Sequence, residues 1–229
     1  MTELLLISVA AFFAGALNSM AGGGSFLTFP ALIFIGIPPI AANATSGVAV
    51  FPGYLSGAFG FRNELQAFDR KELLGLILMA TFGGIAGALL LLVTSPEIFA
   101  FVVPWLLLFA TILFAFDKQI RMWAFADKPT TTGNKISAAL AVSTYGGYFN
   151  GGLGIVLLAL FSGLGYRDIN LMNGLKNGLS FILSAASVVT FSIAGIVHWR
   201  EAAIMMIFAI IGGYAGALIA RRMPPRLIP

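Results

Sequence analysis

The sequence predicts an all-α polytopic membrane protein. It is expected to contain two inverted-topology repeats, each a broken-helix hairpin plus two transmembrane helices, joined by one connecting transmembrane helix. Three observations carry this. The chain is 59% hydrophobic and only 10% charged, with mean hydropathy +0.96, so it has too little polar surface to cover a water-soluble globule. GGIAGAL at 83–89 returns as GGYAGAL at 212–218, and Gly15-x-x-Asn18-x-x-x-Gly22 returns as Gly147-x-x-Asn150-x-x-x-Gly154. Two related halves, each interrupted by glycines, are the mark of a repeat-built secondary transporter. Basic residues are also shared unevenly among the loops, which orients each span.

The first repeat occupies 1–97. Its opening stretch, 4–42, is apolar but broken at Gly22-Gly23-Gly24-Ser25, and reads as a hairpin of two short helices. Leu4–Phe13 followed by Ala14-Gly15-Ala16 imitates a signal peptide and its cleavage site. Glu3 stands where a basic residue is needed, and cleavage would delete Gly15 and Asn18, so the segment is expected to be retained. Spans 44–61 and 73–93 follow, each near the ~20 residues that cross a bilayer. Residues 98–135 supply the connecting span 98–116 and a basic loop. The second repeat, 136–229, holds a hairpin at 136–165 around Asn150-Gly151-Gly152, then spans 171–197 and 202–220.

Loop charge sets direction. The 62–72 loop carries Arg62, Arg70 and Lys71; the 117–135 loop carries Lys118, Arg121, Lys128 and Lys135; the tail carries Arg221, Arg222 and Arg226. The 94–97 turn has no basic residue, and 198–201 has only Arg200 beside Glu201. The positive-inside rule places the first three regions in the cytoplasm and the last two outside. Spans 44–61, 98–116 and 202–220 then run inward, and 73–93 and 171–197 run outward. Segment 136–165 must therefore enter and leave by one face. Its arms, 136–149 and 153–165, are too short to cross comfortably at ~1.5 Å per residue. The same logic gives a hairpin at 4–42 that opens outside. The expected setting is a bacterial inner membrane, with the C-terminus cytoplasmic and the N-terminus outside.

Several function classes drop out. Thirteen basic against nine acidic residues and a pI near 9.6 would suggest nucleic acid in a soluble protein. Here the bases sit in short loops without aromatic interleaving, so they serve topology. Zero Cys and a single His leave no thiolate or multi-His metal centre. No Walker pattern is present, and His198, at a span boundary beside Trp199, is poorly placed to activate a buried serine. No enzyme activity, cofactor or metal is expected; the expected partners are a small anion and the bilayer. Asp69, Asp168 and Glu201 read as loop acids paired with neighbouring bases, and Trp105, Trp123 and Trp199 as interface or packing residues.

The candidate site begins at the breaks. Backbone freed from helix at membrane depth survives only when buried in protein or facing water, and half-helix N-termini attract anions. Gly22, Gly23 and Gly24, with Ser25 as a plausible N-cap before an apolar run, suit that role; close helix packing is the plainer alternative. Asn18 and Asn150 are the polar members of the repeated Gly/Asn pattern. Asn43-Ala44-Thr45-Ser46 opens span 44–61, and Asn173-Gly174-Leu175-Lys176-Asn177 opens its counterpart, with Asn43 and Asn173 at corresponding places in the two halves. Lys176 is the one charged side chain well inside a predicted span. Its burial costs ~2.5–3.5 kcal/mol at the bilayer centre, which an anionic substrate would offset; snorkelling to the interface near Arg167 is the bland explanation. Asn173, Lys176 and Asn177 share one helical face. Gly83-x-x-x-Gly87 and Gly212-x-x-x-Gly216 read as close-packing faces.

The chain resembles the TauE/SafE family of sulfite and organosulfonate exporters. The resemblance rests on Gly15-x-x-Asn18-x-x-x-Gly22-Gly23-Gly24-Ser25, Pro30-Ala31-Leu32, Gly36-Ile37-Pro38 and Ala42-Asn43-Ala44-Thr45-Ser46. The Gly147/Gly154 pattern, Gly165, and Lys176 with Asn177 extend it over nearly the whole chain. It implies a small carrier of sulfur-containing or carboxylate anions, driven by ion gradients rather than ATP. It carries substrate contact to Gly22, Gly23, Gly24, Ser25, Asn43, Thr45 and Ser46 in the first half, and to Asn150, Gly154, Asn173 and Lys176 in the second. The family's second hairpin is also glycine-rich after its break, whereas this chain reads Gly154-Ile155-Val156-Leu157, so the first tip is expected to dominate. The function expected is export of sulfite or organosulfonates by alternating access. A small-carboxylate permease and a non-transporting scaffold subunit are the other readings.

Overall fold

The computed structural model describes residues 2–20, 23–116 and 132–222. The described residues form ten helices and no strand: α1 (Thr2–Met20), α2 (Ser25–Phe34), α3 (Pro39–Gly60), a short α4 (Arg62–Ala67), α5 (Arg70–Val93), α6 (Pro96–Ala115), α7 (Thr132–Tyr148), α8 (Leu153–Gly163), α9 (Ile169–Ile193) and α10 (Trp199–Arg222). Gly22, Lys118, Arg121, Trp123, Lys128 and Arg226 lie outside the described residues. Among these helices α5 and α9 are long and apolar enough to cross a membrane. The outer surface is greasy: Phe34, Val93 and Ile193 are each at least 80% exposed. Water penalises such a surface, and lipid tails do not.

Helix starts follow local chemistry. Pro39 occupies the first turn of α3, where its fixed φ suits the helix and its missing N–H costs nothing. The helix therefore begins before 44, and Asn43–Ser46 lies about a turn inside it. Asp69 accepts the Glu72 amide at 2.8 Å, and Asp168 accepts those of Asn170 and Leu171 at 2.8 and 3.3 Å. Both acids cap helices, because the first-turn amides need acceptors. Glu201 sits in the first turn of α10, 3.9 Å from His198 Nδ1.

The two breaks are built alike. Gly23 and Gly152, one in each half, both have positive φ (92° and 70°), a conformation that glycine alone adopts without strain. The next helix starts each time on the glycine carbonyl, with Phe26 N and Ile155 N each 3.0 Å away. The ends of α2 and α8 also match. Ile37 N donates to Leu32 O and Tyr166 N to Phe161 O, with Gly36 and Gly165 at φ 88° and 91°; this closure satisfies carbonyls that would otherwise be stranded.

Small residues set the packing. α1 lies along α10, α5 along α7, and α3 along α9. A Cβ on Gly212 would strike the Phe12 carbonyl, and one on Gly87 the Thr144 carbonyl, while one on Gly84 would sit 2.8 Å from the Leu183 carbonyl. The repeated glycine motifs are therefore contact faces between helix backbones. One asymmetry stands out. α8 is buried almost all round, whereas α2 exposes Leu27, Pro30 and Phe34. α6 packs against both α8 and α3.

Candidate functional site

Asn150, in the break between α7 and α8, is buried and holds both ends of its amide in hydrogen bonds. Its Oδ1 accepts the Tyr54 hydroxyl from α3 at 2.8 Å, and its Nδ2 donates to Ser184 Oγ on α9 at 3.1 Å. Ser25, the first residue of α2, points its hydroxyl at the same Oδ1 from 3.5 Å. The two breaks thus meet at one side chain. Asn18 extends the network: its Oδ1 accepts the Gly24 amide at 2.8 Å, and its side chain also hydrogen-bonds the Tyr54 hydroxyl. Buried polar groups that satisfy one another in this way hold a single arrangement, since each stranded group costs about 1–3 kcal/mol.

Gly24, not Ser25, occupies the N-cap position of α2, with no side-chain cap, which frees Ser25 to face Asn150. Gly23 and Gly24 are buried, and a Cβ on Gly23 would press on the Phe26 ring at 3.2 Å. Gly154 is buried in the first turn of α8. Around this centre, Phe29 packs edge-on to Phe149 at 5.8 Å between ring centres, and the Tyr145 hydroxyl donates to the Gly151 carbonyl.

The polar start of α3 serves neighbouring backbone. Asn43 Nδ2 donates to the Tyr148 carbonyl at 2.8 Å, satisfying the end of α7. Thr45 Oγ1 accepts the His198 amide at 3.0 Å, tying α3 to the α9–α10 turn. Ser46 Oγ lies 2.6 Å from Thr28 Oγ1, tying α3 to α2. His198 itself is largely exposed, as are Trp105 and Trp199.

Lys176 is buried at 3% exposure and Asn177 at 8%, while Asn173, a turn earlier, is half-buried. Lys176, Ser180, Ser184 and Ser187 follow one face of α9, all buried. Lys176 is two turns from Ser184, ~12 Å along the axis, so the candidate residues Asn173, Lys176 and Asn177 stand farther along α9 than the contact to Asn150. Between them the Ser180 hydroxyl is buried without a hydrogen-bond partner among the described residues, as is that of Ser162 on α8. A polar seam therefore runs along α9 from the buried Lys176 to the breaks.

The pattern of the sulfite exporter TauE/SafE family matches residues 7–229. The chain belongs to this family. Curated relatives match over most of their length. A protein of a Sinorhizobium species named probable membrane transporter protein ORF9 is 25% identical over 98% of this chain and 86% of its own. A probable membrane transporter protein of Haemophilus influenzae is 26% identical over 93% and 84%. Probable membrane transporter protein YfcA of Escherichia coli K12 is 25% identical over 100% and 86%. No solved structure matches the chain.

Within this TauE/SafE chain, Tyr54 and Ser184 join the cluster at Asn150 without having been expected from the sequence. Their signal was positional. They occupy corresponding places in the two halves, in the same register that relates Asn43 to Asn173 and Ser46 to Lys176.

Proposed function

We propose that the chain is a secondary transporter that exports small sulfur-containing anions, sulfite or an organosulfonate, across the bacterial inner membrane. The observation that carries this reading is the convergence of two helix breaks on Asn150, with Ser25 at 3.5 Å, Tyr54 at 2.8 Å and Ser184 at 3.1 Å. Half-helix starts that face each other inside an apolar shell suit an anion held between neutral donors. The buried Lys176 amine can offer donors and, when protonated, a positive charge to an anion, and the Ser180 hydroxyl, without a hydrogen-bond partner among the described residues, offers a hydrogen bond to a ligand oxygen or a water. Membership of a family named for sulfite export, and relatives named as membrane transporters, support the same function.

The two halves, 1–97 and 136–229, would act as inverted repeats joined by 98–135. Supporting this, the glycine turn at Gly23 recurs at Gly152, and helix pairing survives exchange of the halves: α1 with α10 becomes α7 with α5. Halves of related shape can each take the other's conformation, which opens the site to one face and then the other. The basic loops favour a cytoplasmic C-terminus.

The test is flux in reconstituted vesicles with sulfite, an organosulfonate, sulfate and a small carboxylate, alongside thermal stabilisation by each anion. Saturable sulfite or sulfonate flux that Lys176→Met abolishes, in a protein still folded, is the expected result. Undiminished selective flux in Lys176→Met removes the lysine from the mechanism. Flux of the carboxylate alone reassigns the substrate, and neither flux nor stabilisation with any anion leaves a membrane scaffold.

A further inference from the structure

Away from the breaks, where α3, α4 and α5 meet, lies an open groove of about 600 Å³. Its walls are Leu55 and Phe59 near the end of α3, Leu65 on α4 and Leu73 on α5, and two guanidinium groups, Arg62 and Arg70, line it as well. No carboxylate lines it among the described residues. The nearby acids have other tasks: Asp69 caps α5, and Glu72 accepts the Tyr166 hydroxyl. Glu64, on α4, is not part of the wall. The groove sits where the membrane-crossing helix α5 begins, and the start of such a helix lies at the level of lipid headgroups. Its volume lies within the ~300–1,000 Å³ of small-molecule sites.

We infer that this groove is a site for an anionic phospholipid, with the lipid phosphate on Arg62 and Arg70 and an acyl chain along Leu55 and Phe59. Charge complementarity selects the occupant. Two guanidiniums without a facing carboxylate want a phosphate, which their planar fork matches in geometry. The greasy wall below them wants a hydrocarbon tail, which a soluble anion lacks. Basic pockets between helix ends hold anionic headgroups in this way. The site needs only that the chain spans a bilayer, and it stands or falls separately from sulfite transport.

The experiment uses the full chain carrying Phe59→Trp, reconstituted with brominated phosphatidylglycerol or brominated phosphatidylcholine, with quenching read against the parent's three tryptophans. The expected result is preferential quenching by phosphatidylglycerol, roughly tenfold in apparent affinity, together with phosphatidylglycerol retained through purification. R62Q/R70Q loses the preference, and R62K/R70K keeps part of it. Equal quenching by both lipids overturns the proposal, and so does a preference unchanged in R62Q/R70Q. Displacement of the lipid signal by millimolar sulfite or inorganic phosphate also overturns it, marking the groove as a mouth for soluble anions. If R62Q/R70Q does not fold, the Phe59→Trp comparison, with both arginines intact, decides alone.

Discussion

The Tyr54 hydroxyl donates to Asn150 Oδ1 at 2.8 Å, fastening the middle of α3 to the break that precedes α8. Ser184, the counterpart of Tyr54 in the second half, holds the other end of the same amide. Removing the hydroxyl in Tyr54→Phe leaves Oδ1 with only the longer contact from Ser25, and the expected loss is about 1–3 kcal/mol. Asn150→Leu strands the partners on both sides and is expected to cost more. Thermal unfolding in detergent measures both, and a double-mutant cycle isolates the pair. Independent, additive effects of the two substitutions would show that this bond does not organise the break.

One helix supplies its own control for the packing argument. On α5, a Cβ at Gly87 would drive into the Thr144 carbonyl and lie 2.6 Å from the Tyr148 amide, whereas one at Gly75 meets nothing within 4 Å. Gly87→Ala is therefore expected to destabilise by about 1–3 kcal/mol through overpacking. Gly75→Ala is expected to stabilise by about 0.5–1 kcal/mol, because alanine loses less freedom than glycine in a helix. Comparable effects at the two positions would remove backbone contact as the reason for the repeated motif.

The breaks were legible because glycine runs within an apolar chain have few structural uses, and because Asn18 and Asn150 repeat with them. The helix caps were legible too and were passed over: Asp69-Arg70-Lys71-Glu72 has the spacing of a capping box. Tyr54 was harder to see, since a lone tyrosine among Phe51, Leu55 and Phe59 looks like packing until it is set against Ser184. The short helix α4 read as loop, being polar and too brief for any periodicity to emerge. The burial of α8 against the exposure of α2 had no local signal, because it depends on where α6 packs.

A contact between the halves can be tested by pH. The Tyr166 hydroxyl, in the turn between α8 and α9, donates to Glu72 Oε1 at 2.5 Å. Burial first, and the Glu72 carboxylate second, push its pKa above the ordinary 10.0. A raised pKa means that the folded state holds the proton more tightly. The contribution is fully present below pH 10.0 and is lost as pH climbs from there through the folded value. The unfolding midpoint is expected to fall above that pH, and Tyr166→Phe is expected to flatten the fall while lowering stability at neutral pH. An unchanged slope in Tyr166→Phe would assign the alkaline loss to other groups.

The last prediction concerns access to Lys176. α4 lies against the first turns of α9, where a Cβ on Gly174 would sit 3.0 Å from Phe61 Cβ and 3.2 Å from Leu65 Cγ, just ahead of the buried lysine. Asn177 presses on Gly57 of α3 at the same level, its Cγ 2.8 Å from where a Cβ would stand. If the site opens toward this face, α4 and α9 must part. A disulfide between Phe61→Cys and Gly174→Cys would hold them together, since the two Cβ positions need to part by only about 0.5–1 Å to reach the ~3.5–4.5 Å between Cβ atoms in such bonds. The chain has no native cysteine to confuse the result. Oxidation is expected to arrest anion flux in vesicles and reduction to restore it, with each single-cysteine variant indifferent to both. Full flux through the crosslinked protein would mean that α4 and α9 move together, and that Lys176 is reached by another route.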